Sequence, residues 1–302
     1  MTATMQGKTV LVTGGNTGIG KATVVALARL GARVVFTSRD RAKGEAALAE
    51  ARSQSGSDAI ECMNVDLASF RSIRAFAEAF LARYDVLHVL VNNAGIVLGS
   101  RRQSEDGLEE TFAVNHVGTF LLTELLLDRI KASAPARIVN VASHAHKQAR
   151  GGITFDDIDR ARGYNGFRVY AESKLANIYF TRELARRLAG TGVTVNACHP
   201  GVVASDFAAN GDYSGPVGWF FKLGRPFLRT VEQGARTSVY LASSPEVEGV
   251  TGEYFANEKR SRPTRIAEDD AAAKRLWDLT EQIVSGRRDA ARGQESAQPR
   301  VS

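Results

Sequence analysis

The chain has 302 residues, of which 44% are hydrophobic and 24% charged, and its 39 basic and 33 acidic residues give a net charge of +6. This composition is that of an ordinary soluble globular protein. The sequence holds no Lys/Arg run dense enough for a nucleic-acid arm and no stretch approaching the roughly 18 apolar residues of a membrane span.

Short β-rich runs alternate with helical patterns along the chain. The strand runs are continuous in Val, Ile and Leu, as in a sheet buried on both faces. Strands are predicted over 9–12, 33–37, 59–65, 86–91, 137–141, 193–198 and 252–255, and helices over 18–30, 41–53, 69–83, 105–131, 167–189 and 231–242. Because this alternation demands right-handed βαβ crossovers, we predict one α/β domain of three layers with a doubly wound parallel sheet.

A glycine-rich turn follows the first predicted strand and opens the first helix. Gly14, Gly18 and Gly20 have the spacing Gly-x-x-x-Gly-x-Gly. Glycines let the backbone turn tightly and approach a phosphate, and a helix start offers N–H groups to an anion. A plain turn with a helix cap is the alternative, but the position in a βα chain favours a dinucleotide site of the Rossmann type. The predicted contacts are Gly14, Asn16, Thr17, Gly18, Ile19 and Gly20.

The end of the second predicted strand bears on which dinucleotide is bound. NAD sites usually have an acidic residue about 20 positions after the glycines. Counting from Gly18 leads to Ser38, followed by Arg39. A carboxylate would repel a 2′-phosphate, whereas a hydroxyl and a guanidinium bind it. The sequence therefore favours NADP(H) over NAD(H), with a merely solvated Arg39 beside Asp40 as the alternative.

Further motifs follow the later strands, at the ends where open α/β sheets bind ligands. They are Asn92-Asn93-Ala94-Gly95, Asn115 in the next helix, Ser143 after the fifth strand, Tyr170-Ala-Glu-Ser-Lys174 in the following helix, and His199-Pro200-Gly201 after the sixth strand. This ordered set resembles the short-chain dehydrogenase/reductase superfamily over about residues 7–257.

Within that superfamily the sequence is similar to the retinol dehydrogenase group. The similarity lies in residues 16–21, 114–118, 173–177, 182–187 and 275–277, and in the long connection between Ser143 and Tyr170. Membrane-bound members of that group carry an amino-terminal hydrophobic anchor, which residues 1–8 do not show. Because of this departure, and because no apolar run is long enough for a membrane span, we expect a soluble, cytoplasmic protein with no integral membrane segment. The resemblance implies an oxidoreductase that interconverts a lipophilic aldehyde or ketone and its alcohol.

Two residues of the Tyr-Lys motif are expected to manage a proton. Tyr170 and Lys174 are four apart, so both project from one helix face. A free tyrosine titrates near about 10, and a nearby ammonium lowers that pKa because it favours the phenolate. The resemblance implies that Tyr170 is the general acid/base, that Lys174 also binds the nicotinamide ribose and that Ser143 hydrogen-bonds the substrate oxygen. It also implies that Asn115 holds a water in a proton relay behind Lys174.

The resemblance implies the remaining cofactor contacts as well. Asp66 and Leu67 would bracket the adenine, and Asn92, Ala94 and Gly95 would pass behind the cofactor. Near the nicotinamide and the phosphates it places Pro200, Gly201, Val203 and Ser205.

Residues 201–230 break the βα rhythm with Gly, Pro and aromatic residues. Trp219 and Phe220 between glycines predict a substrate lid over about 203–230, with a core-packing helix as the alternative. Lys222, Arg225 and Arg229 would let this lid contact a membrane surface. A C-terminal helix is expected over about 266–285 and a polar tail over 286–302.

Other features narrow the partners. His144 and His146 lack Cys or carboxylate companions at ligand spacing, so no metal is expected. Cys62 and Cys198 lie in apolar runs and are expected to be buried thiols rather than a disulfide. The helix over 105–131 could be core or a dimer face, so the chain could be a monomer or a homodimer. No nucleic-acid partner is expected.

Two other functions stay open at this point. The chain could be an NADP(H)-binding sensor or interaction protein without turnover, although such a protein would not need a proton relay. It could also reduce a C=C bond, as in the related protochlorophyllide reductases.

Overall fold

Eight strands form one sheet in a computed structural model that describes residues 4–201 and 229–296. The spatial order is β3-β2-β1-β4-β5-β6-β7-β8, with the first seven strands parallel and β8 antiparallel to β7. The strands are β1 (Thr9–Val12), β2 (Arg33–Ser38), β3 (Ile60–Asn64), β4 (Val89–Asn92), β5 (Ala136–Val141), β6 (Val193–His199), β7 (Tyr254–Ala256) and β8 (Lys259–Arg260). The predicted doubly wound parallel sheet is confirmed, and β8 is an addition to it.

Helices cover both faces of this sheet. They are α1 (Gly18–Arg29), α2 (Arg41–Ser55), α3 (Phe70–Arg83), α4 (Glu110–Phe112), α5 (Gly118–Ala132), α6 (Gly166–Arg187), α7 (Val231–Ser243) and α8 (Asp270–Ser296). The predicted lid, with Val203 and Ser205, lies outside the described residues apart from positions 229 and 230.

Alternate residues of the strands supply two separate cores. In β1, Leu11 faces the core built with α3, α5, α6 and α8, while Val10 and Val12 face the core built with α1, α2 and α7. This follows from the two-residue period of a strand, which sends successive side chains to opposite faces. Both faces are apolar, so the sheet lies in the middle of three layers.

The predicted helix over 105–131 is broken, and that prediction is wrong in its first part. Gln103 and Glu109 form an antiparallel bridge, and only then does the single turn α4 begin. The Glu109 carboxylate ends the bridge and starts the turn, because its Oε2 accepts the Phe112 N–H at 2.6 Å. A π-helical turn, Ala113–Val117, then leads into α5. A π turn inserts one extra residue, and such turns are frequent at functional sites.

The C-terminal helix α8 covers the outer face of α5 and α6. The Trp277 ring centroid lies 4.8 Å from that of Phe120 and 5.9 Å from that of Phe180. The Arg187 guanidinium stacks over the indole at 4.1 Å. The helix begins at Asp270 and continues to Ser296, into residues predicted to be a polar tail.

A fully buried histidine lies beneath this helix. His116 Nε2 is 3.0 Å from Thr280 Oγ1, and its ring packs between Phe112 and Phe180. Burial lowers the pKa of His116 to about 3, because an apolar environment disfavours the charged ring. In the unfolded chain the same group would titrate near its ordinary value.

This difference predicts acid sensitivity of the fold. Between pH 3 and about 6.5 the unfolded state binds one more proton at His116, so the free energy of unfolding falls as the pH falls. The expected slope from this one residue is up to about 1.4 kcal/mol per pH unit. Urea unfolding from pH 7 down to 4.5 measures it for wild type and for His116→Leu, which cannot titrate.

The leucine variant is expected to show a smaller pH slope than wild type. His144→Gln is the matched control, since His144 is exposed and its removal should change the slope less. Equal slopes for wild type and His116→Leu would mean that His116 does not carry the acid sensitivity.

Candidate active site

The turn after β1 is shaped so that only glycine fits several of its positions. Gly14 and Gly18 have φ of +63° and +53°, in the left-handed region. A Cβ on Gly20 would lie 2.2 Å from the Gly14 carbonyl oxygen, so the start of α1 packs directly on the turn. The predicted glycine turn is therefore present between strand and helix, with Asn16 and Ile19 half-buried and Thr17 exposed.

The amino-terminal end of α1 lacks a side-chain cap. Asp40, Ser69, Asn165 and Thr230 each accept a backbone N–H at the start of α2, α3, α6 and α7. Thr17 makes no such bond, and the first turn of α1 contains no acidic residue. This end therefore offers backbone N–H groups and the positive end of the helix dipole, as a phosphate requires.

Asn92 at the end of β4 and Asn93 just after it make different contacts. Asn93, which the sequence analysis did not single out, donates through Nδ2 to the Thr13 carbonyl at 2.9 Å and holds the glycine turn in place. Asn92 instead donates to Thr123 Oγ1 at 3.1 Å and Asn140 Oδ1 at 2.9 Å, beneath the sheet edge. The predicted contact of Asn92 with a cofactor could therefore come only from its backbone.

The carboxyl end of β2 presents a cation to the same edge. The Arg39 side chain is 62% exposed, and its nearest acidic contact is Glu110 at 3.8 Å. Asp40 is already engaged, because its Oδ1 accepts the Lys43 N–H at 2.9 Å as the cap of α2. The buried Ser38 hydroxyl donates to the Asp40 carbonyl at 2.7 Å. Arg39 and Asp40 are both exposed, but the Asp40 carboxylate is bound to the backbone of α2, whereas the Arg39 guanidinium has only the 3.8 Å contact with Glu110.

Asp66 and Leu67 follow β3 and form the next part of the edge. Asp66 Oδ1 accepts the Ala68 N–H at 3.0 Å, and Ser72 Oγ accepts the Asp66 N–H at 2.9 Å. Leu67 is buried, and its carbonyl oxygen lies so close to Gly118 that a Cβ there would be 2.2 Å away. These contacts fix the loop that the family resemblance assigns to the adenine.

Asn115 ties three segments together from within the π turn. Its Oδ1 accepts the Ile96 N–H at 2.7 Å, and its Nδ2 donates to the Ile96 carbonyl and to Ser173 Oγ, both at 2.9 Å. These bonds place Gly95 against Lys174, where a Cβ would be 3.1 Å from Nζ. The side chain of Asn115 is thus occupied in positioning, so a predicted proton relay at this residue would run through its main chain.

Lys174 is anchored at the end of β5. Its Nζ donates to the Val141 carbonyl at 3.1 Å, and it lies 5.7 Å from the centroid of the Tyr170 ring. Asn177 Nδ2 donates to the same carbonyl at 3.3 Å, which fixes α6 to the strand. Burial lowers the pKa of Lys174 to about 8, so the group still carries a positive charge at neutral pH.

Ser143 lies two residues after Val141, the last residue of β5, whose carbonyl accepts the Lys174 hydrogen bond. Its Oγ accepts the Ala145 N–H at 3.1 Å, as the cap of a short 3-10 helix, His144–Gln148. A backbone N–H can only donate, so this bond leaves the hydroxyl hydrogen of Ser143 able to donate to another oxygen. The half-buried side chain is therefore available at the edge.

Pro200 and Gly201, which are predicted to pack near the nicotinamide, follow directly after β6. Gly201 has a φ of +85°, and its N–H donates to His199 Nδ1 at 2.9 Å. The His199 ring packs between those of His144 and Tyr254, with centroids 5.6 and 6.1 Å away. Burial, together with the neighbouring positive groups, lowers the pKa of His199 to about 4, so it is neutral.

The long connection between Ser143 and Tyr170 is fastened by a residue of the Tyr-Lys motif itself. Glu172 is buried and pairs with Arg160 and, at 3.0 Å, with Arg168, and its Oε2 accepts the Thr154 N–H at 3.0 Å. Sequence analysis missed Glu172. The available signal was Arg168, an oppositely charged residue four positions earlier on the same helix.

Metal and membrane features are absent from the part of the chain that is described. No group of three or more His, Cys, Asp or Glu side chains within residues 4–201 and 229–296 is placed to hold a metal ion. No helix in those ranges is both long and apolar enough to cross a bilayer. Cys62 is half-buried, Cys198 is buried, and both are free thiols.

The carboxyl ends of β1, β4 and β5 thus carry, in turn, a glycine turn with an uncapped helix start, a loop packed against the buried Lys174, and Ser143. Open α/β sheets bind their ligands at this end of the strands, and a glycine turn at the start of a helix is a feature of dinucleotide sites. Comparison with known proteins identifies the family. The short chain dehydrogenase profile matches residues 8–155 and 158–213.

Curated relatives agree with the family profile. The chain is 47% identical over 294 residues to human retinol dehydrogenase 14, across 93% of this chain and 87% of the human protein. It is 46% identical over 278 residues to mouse retinol dehydrogenase 12, across 92% of this chain and 86% of the mouse protein. The chain belongs to the short-chain dehydrogenase/reductase family, in its retinol-dehydrogenase-like group, and is an oxidoreductase.

Solved structures share the fold. A crystal structure of a protein from Mycobacterium Paratuberculosis, described only as uncharacterized, is 32% identical with a TM-score of 0.74, over 94% of this chain and 95% of that one. The Pseudomonas aeruginosa RhlG/NADP active-site complex is 28% identical with a TM-score of 0.65, over 83% of this chain and 95% of that one.

Proposed function

We propose that the protein interconverts a lipophilic aldehyde or ketone and its alcohol with NADP(H), using Tyr170 as the general acid/base. The observation that carries this proposal is the anchoring of Lys174 on the Val141 carbonyl. That bond holds the buried positive charge of Lys174 near the Tyr170 ring. The carbonyl that accepts it belongs to Val141, which is two residues before Ser143 in the chain. The proposal assigns complementary proton chemistry to these three groups, at the end of the sheet that also carries the glycine turn.

Each residue has a distinct task in the reducing direction. Ser143 donates its hydroxyl hydrogen to the carbonyl oxygen, since its Oγ already accepts the Ala145 N–H. Tyr170 gives its phenolic proton to the same oxygen as negative charge develops there. A bound nicotinamide cofactor would supply the hydride to the carbonyl carbon. In the oxidising direction Tyr170 takes the proton back from the alcohol.

Lys174 supports the proton transfer through its positive charge, while its bond to the Val141 carbonyl holds it in place. Its charge favours the phenolate form of Tyr170, because an ammonium near a phenol stabilises the negative charge. The buried position strengthens this effect, since the local dielectric is low. Its remaining N–H groups fit the proposed contact with the ribose hydroxyls.

Arg39 supports the preference for NADP(H). Its exposed guanidinium at the end of β2 can bind a 2′-phosphate through charge-assisted hydrogen bonds. Asp40, the residue that could repel that phosphate, is turned into the cap of α2. The uncapped start of α1 would take the pyrophosphate, which fits the glycine turn that a Cβ would fill.

Replacement of Arg39 tests this preference. Arg39→Ala is expected to weaken NADPH binding by about 10- to 100-fold, since a hydrogen bond to a charged group contributes about 1.5–3 kcal/mol. NADH binding should change little, because NADH has no 2′-phosphate. Tryptophan fluorescence titration with both cofactors measures the two dissociation constants.

Arg41→Ala is the matched control for this prediction. Arg41 is another exposed arginine at the start of α2, and it pairs with Glu45. Its removal should leave the ratio of NADPH to NADH affinity unchanged. The assignment of Arg39 fails if Arg39→Ala weakens the binding of both cofactors equally.

The proposed substrate class is supported by the relatives, which are named as retinol dehydrogenases. Retinal and other long-chain or ring-bearing aldehydes are therefore the first carbonyl compounds to test. NADPH and NADH oxidation by the wild-type chain should be followed with such a panel, beside short polar aldehydes and ketones. Turnover with NADPH and a lipophilic carbonyl is the expected result.

Two outcomes would instead favour the other functions. Tight NADPH binding with no turnover on any carbonyl would indicate a sensor. Turnover only with substrates that carry a conjugated C=C bond, with the bond reduced in the product, would indicate a C=C reductase. Product analysis by mass spectrometry and NMR distinguishes an alcohol from a saturated carbonyl.

A further inference from the structure

His146 connects the Ser143 loop to the C-terminal part of the chain. It lies three residues after Ser143 and is only 1% exposed. Its Nδ1 is 2.7 Å from the Ser143 carbonyl oxygen, and its Nε2 is 3.3 Å from the backbone nitrogen of Thr264. One imidazole therefore spans two segments that are 118 residues apart in sequence.

The two partners fix the proton on the ring. A carbonyl oxygen can only accept, so Nδ1 must carry a hydrogen. A backbone N–H can only donate, so Nε2 must be bare. The ring is therefore the neutral Nδ1–H tautomer. The other tautomer would place a lone pair against the Ser143 carbonyl and would leave the Thr264 N–H facing an N–H.

The Thr264 side is itself held firmly. Thr264 precedes a short 3-10 helix, Arg265–Glu268, which leads into α8. Tyr179 of α6 donates to the Ile266 carbonyl in that helix at 2.8 Å, and Ala267 is fully buried. The Thr264 N–H is thus fixed relative to α6, which also carries Tyr170 and Lys174.

We propose that His146 is a positioning residue for Ser143, held in its Nδ1–H tautomer by the Thr264 N–H. Through this bridge the C-terminal segment sets the place of the Ser143 loop relative to α6. The proposal rests on the proposed function only in assigning Ser143 to the substrate oxygen. The tautomer and the bridge are properties of the folded chain alone.

Variants at both ends of the bridge separate its two bonds. His146→Asn keeps a donor close to the position of Nδ1 but cannot reach Thr264, and His146→Leu removes both bonds. Thr264→Pro deletes the N–H at a residue whose φ of −68° suits proline, and Thr264→Ala keeps the N–H as the matched control.

The expected result is a split between kcat and cofactor binding. His146→Leu and Thr264→Pro should lower kcat by about 10- to 100-fold, the size of effect that follows a misplacement of about 1 Å, with the KM for NADPH unchanged. His146→Asn should recover much of the activity that His146→Leu loses. Thr264→Pro should have little further effect in the His146→Asn background, because the amide does not need the Thr264 N–H.

A purely structural role gives a different pattern. Thr264→Pro would then lower kcat by the same factor in both backgrounds, and the losses in kcat would follow the losses in melting temperature. Either result overturns the proposal.

The tautomer is tested without any turnover. In ¹⁵N-labelled wild-type protein with NADPH bound, long-range ¹H–¹⁵N spectra should show His146 as Nδ1–H, and Thr264→Pro should allow the Nε2–H form. An Nε2–H tautomer in wild type overturns the proposal even if the enzyme is active. If no carbonyl is turned over but the tautomer is Nδ1–H and changes in Thr264→Pro, the bridge stands and the proposed function fails.

Discussion

Tyr170→Phe is expected to lower kcat for carbonyl reduction by about 10³-fold, within the range of general acid–base catalysis. The substitution removes only the phenolic O–H, so the ring keeps its place near Lys174, 5.7 Å from Nζ to its centroid. NADPH affinity should stay within about threefold of wild type, since the residue's main task is at the substrate oxygen. Stopped-flow measurement of NADPH oxidation with the best carbonyl substrate gives kcat, and fluorescence titration gives the affinity.

The control is a tyrosine of similar setting but outside the site. Tyr240 of α7 donates its O–H to Glu246 Oε2 at 3.0 Å. The carbonyl of the next residue, Leu241, accepts from Arg137 at the start of β5, so Tyr240 lies near the opposite end of the strands from the site. Tyr240→Phe removes the same atom and should leave kcat unchanged. A Tyr170→Phe enzyme that retained more than about a tenth of wild-type kcat would assign the proton transfer to another group.

The sheet was predictable because its signal is local. Runs such as residues 9–12 and 137–141 consist of residues that suit a strand buried on both faces, and the helices between them leave few topologies. The glycine turn and the Tyr170–Lys174 pair are local too, since their spacing alone places them on one turn or one helix face. Strand β8 was missed because Lys259 and Arg260 are two exposed residues with no apolar pattern.

The break in the 105–131 prediction has a different cause. Residues 110–132 read as one helix because residues 111–123 are all buried, so the change of face that an extra residue causes leaves no mark in the apolar pattern. The position of that turn depends on bonds from Asn115 to Ile96 and Ser173, which lie 19 and 58 residues away. No local pattern reports such partners.

The two-residue period of β4 was enough to predict which way the Asn92 side chain points. Leu90 and Asn92 share one face of β4, and Leu90 faces the core that includes α5. The two-residue period therefore predicts that the Asn92 side chain points toward α5, away from the edge. Asn93, just beyond the strand, is free of that constraint and reaches the glycine turn. His146 gave no such signal, because its partner Thr264 is fixed only by the fold.

The C-terminal helix links stability to the active-site helices. α5 follows the π turn of Asn115, and α6 carries Tyr170 and Lys174. Both present apolar side chains on the face away from the sheet, and α8 covers that face with Trp277 at its centre. Arg182 extends this contact through an ion pair with Asp270 at 2.6 Å. The packing of α8 therefore holds α5 and α6 together on the face that points away from the sheet.

Trp277→Ala is expected to lower the free energy of unfolding by about 3–5 kcal/mol, the usual cost of truncating a buried large aromatic side chain. Trp277 is 4% exposed, and its loss would remove ring contacts with Phe120 and Phe180 and the stacking of Arg187. Urea unfolding measures the change at pH 7.5, because His116 is neutral in both the folded and the unfolded state at that pH.

Lys274→Ala is the matched control, because Lys274 lies on the same helix, is 59% exposed and makes one surface ion pair. It should cost less than about 1 kcal/mol. Sedimentation velocity should also show self-association of Trp277→Ala, since the uncovered aromatic face would be exposed. If both variants unfold at the same urea concentration as wild type, α8 does not hold α5 and α6 together.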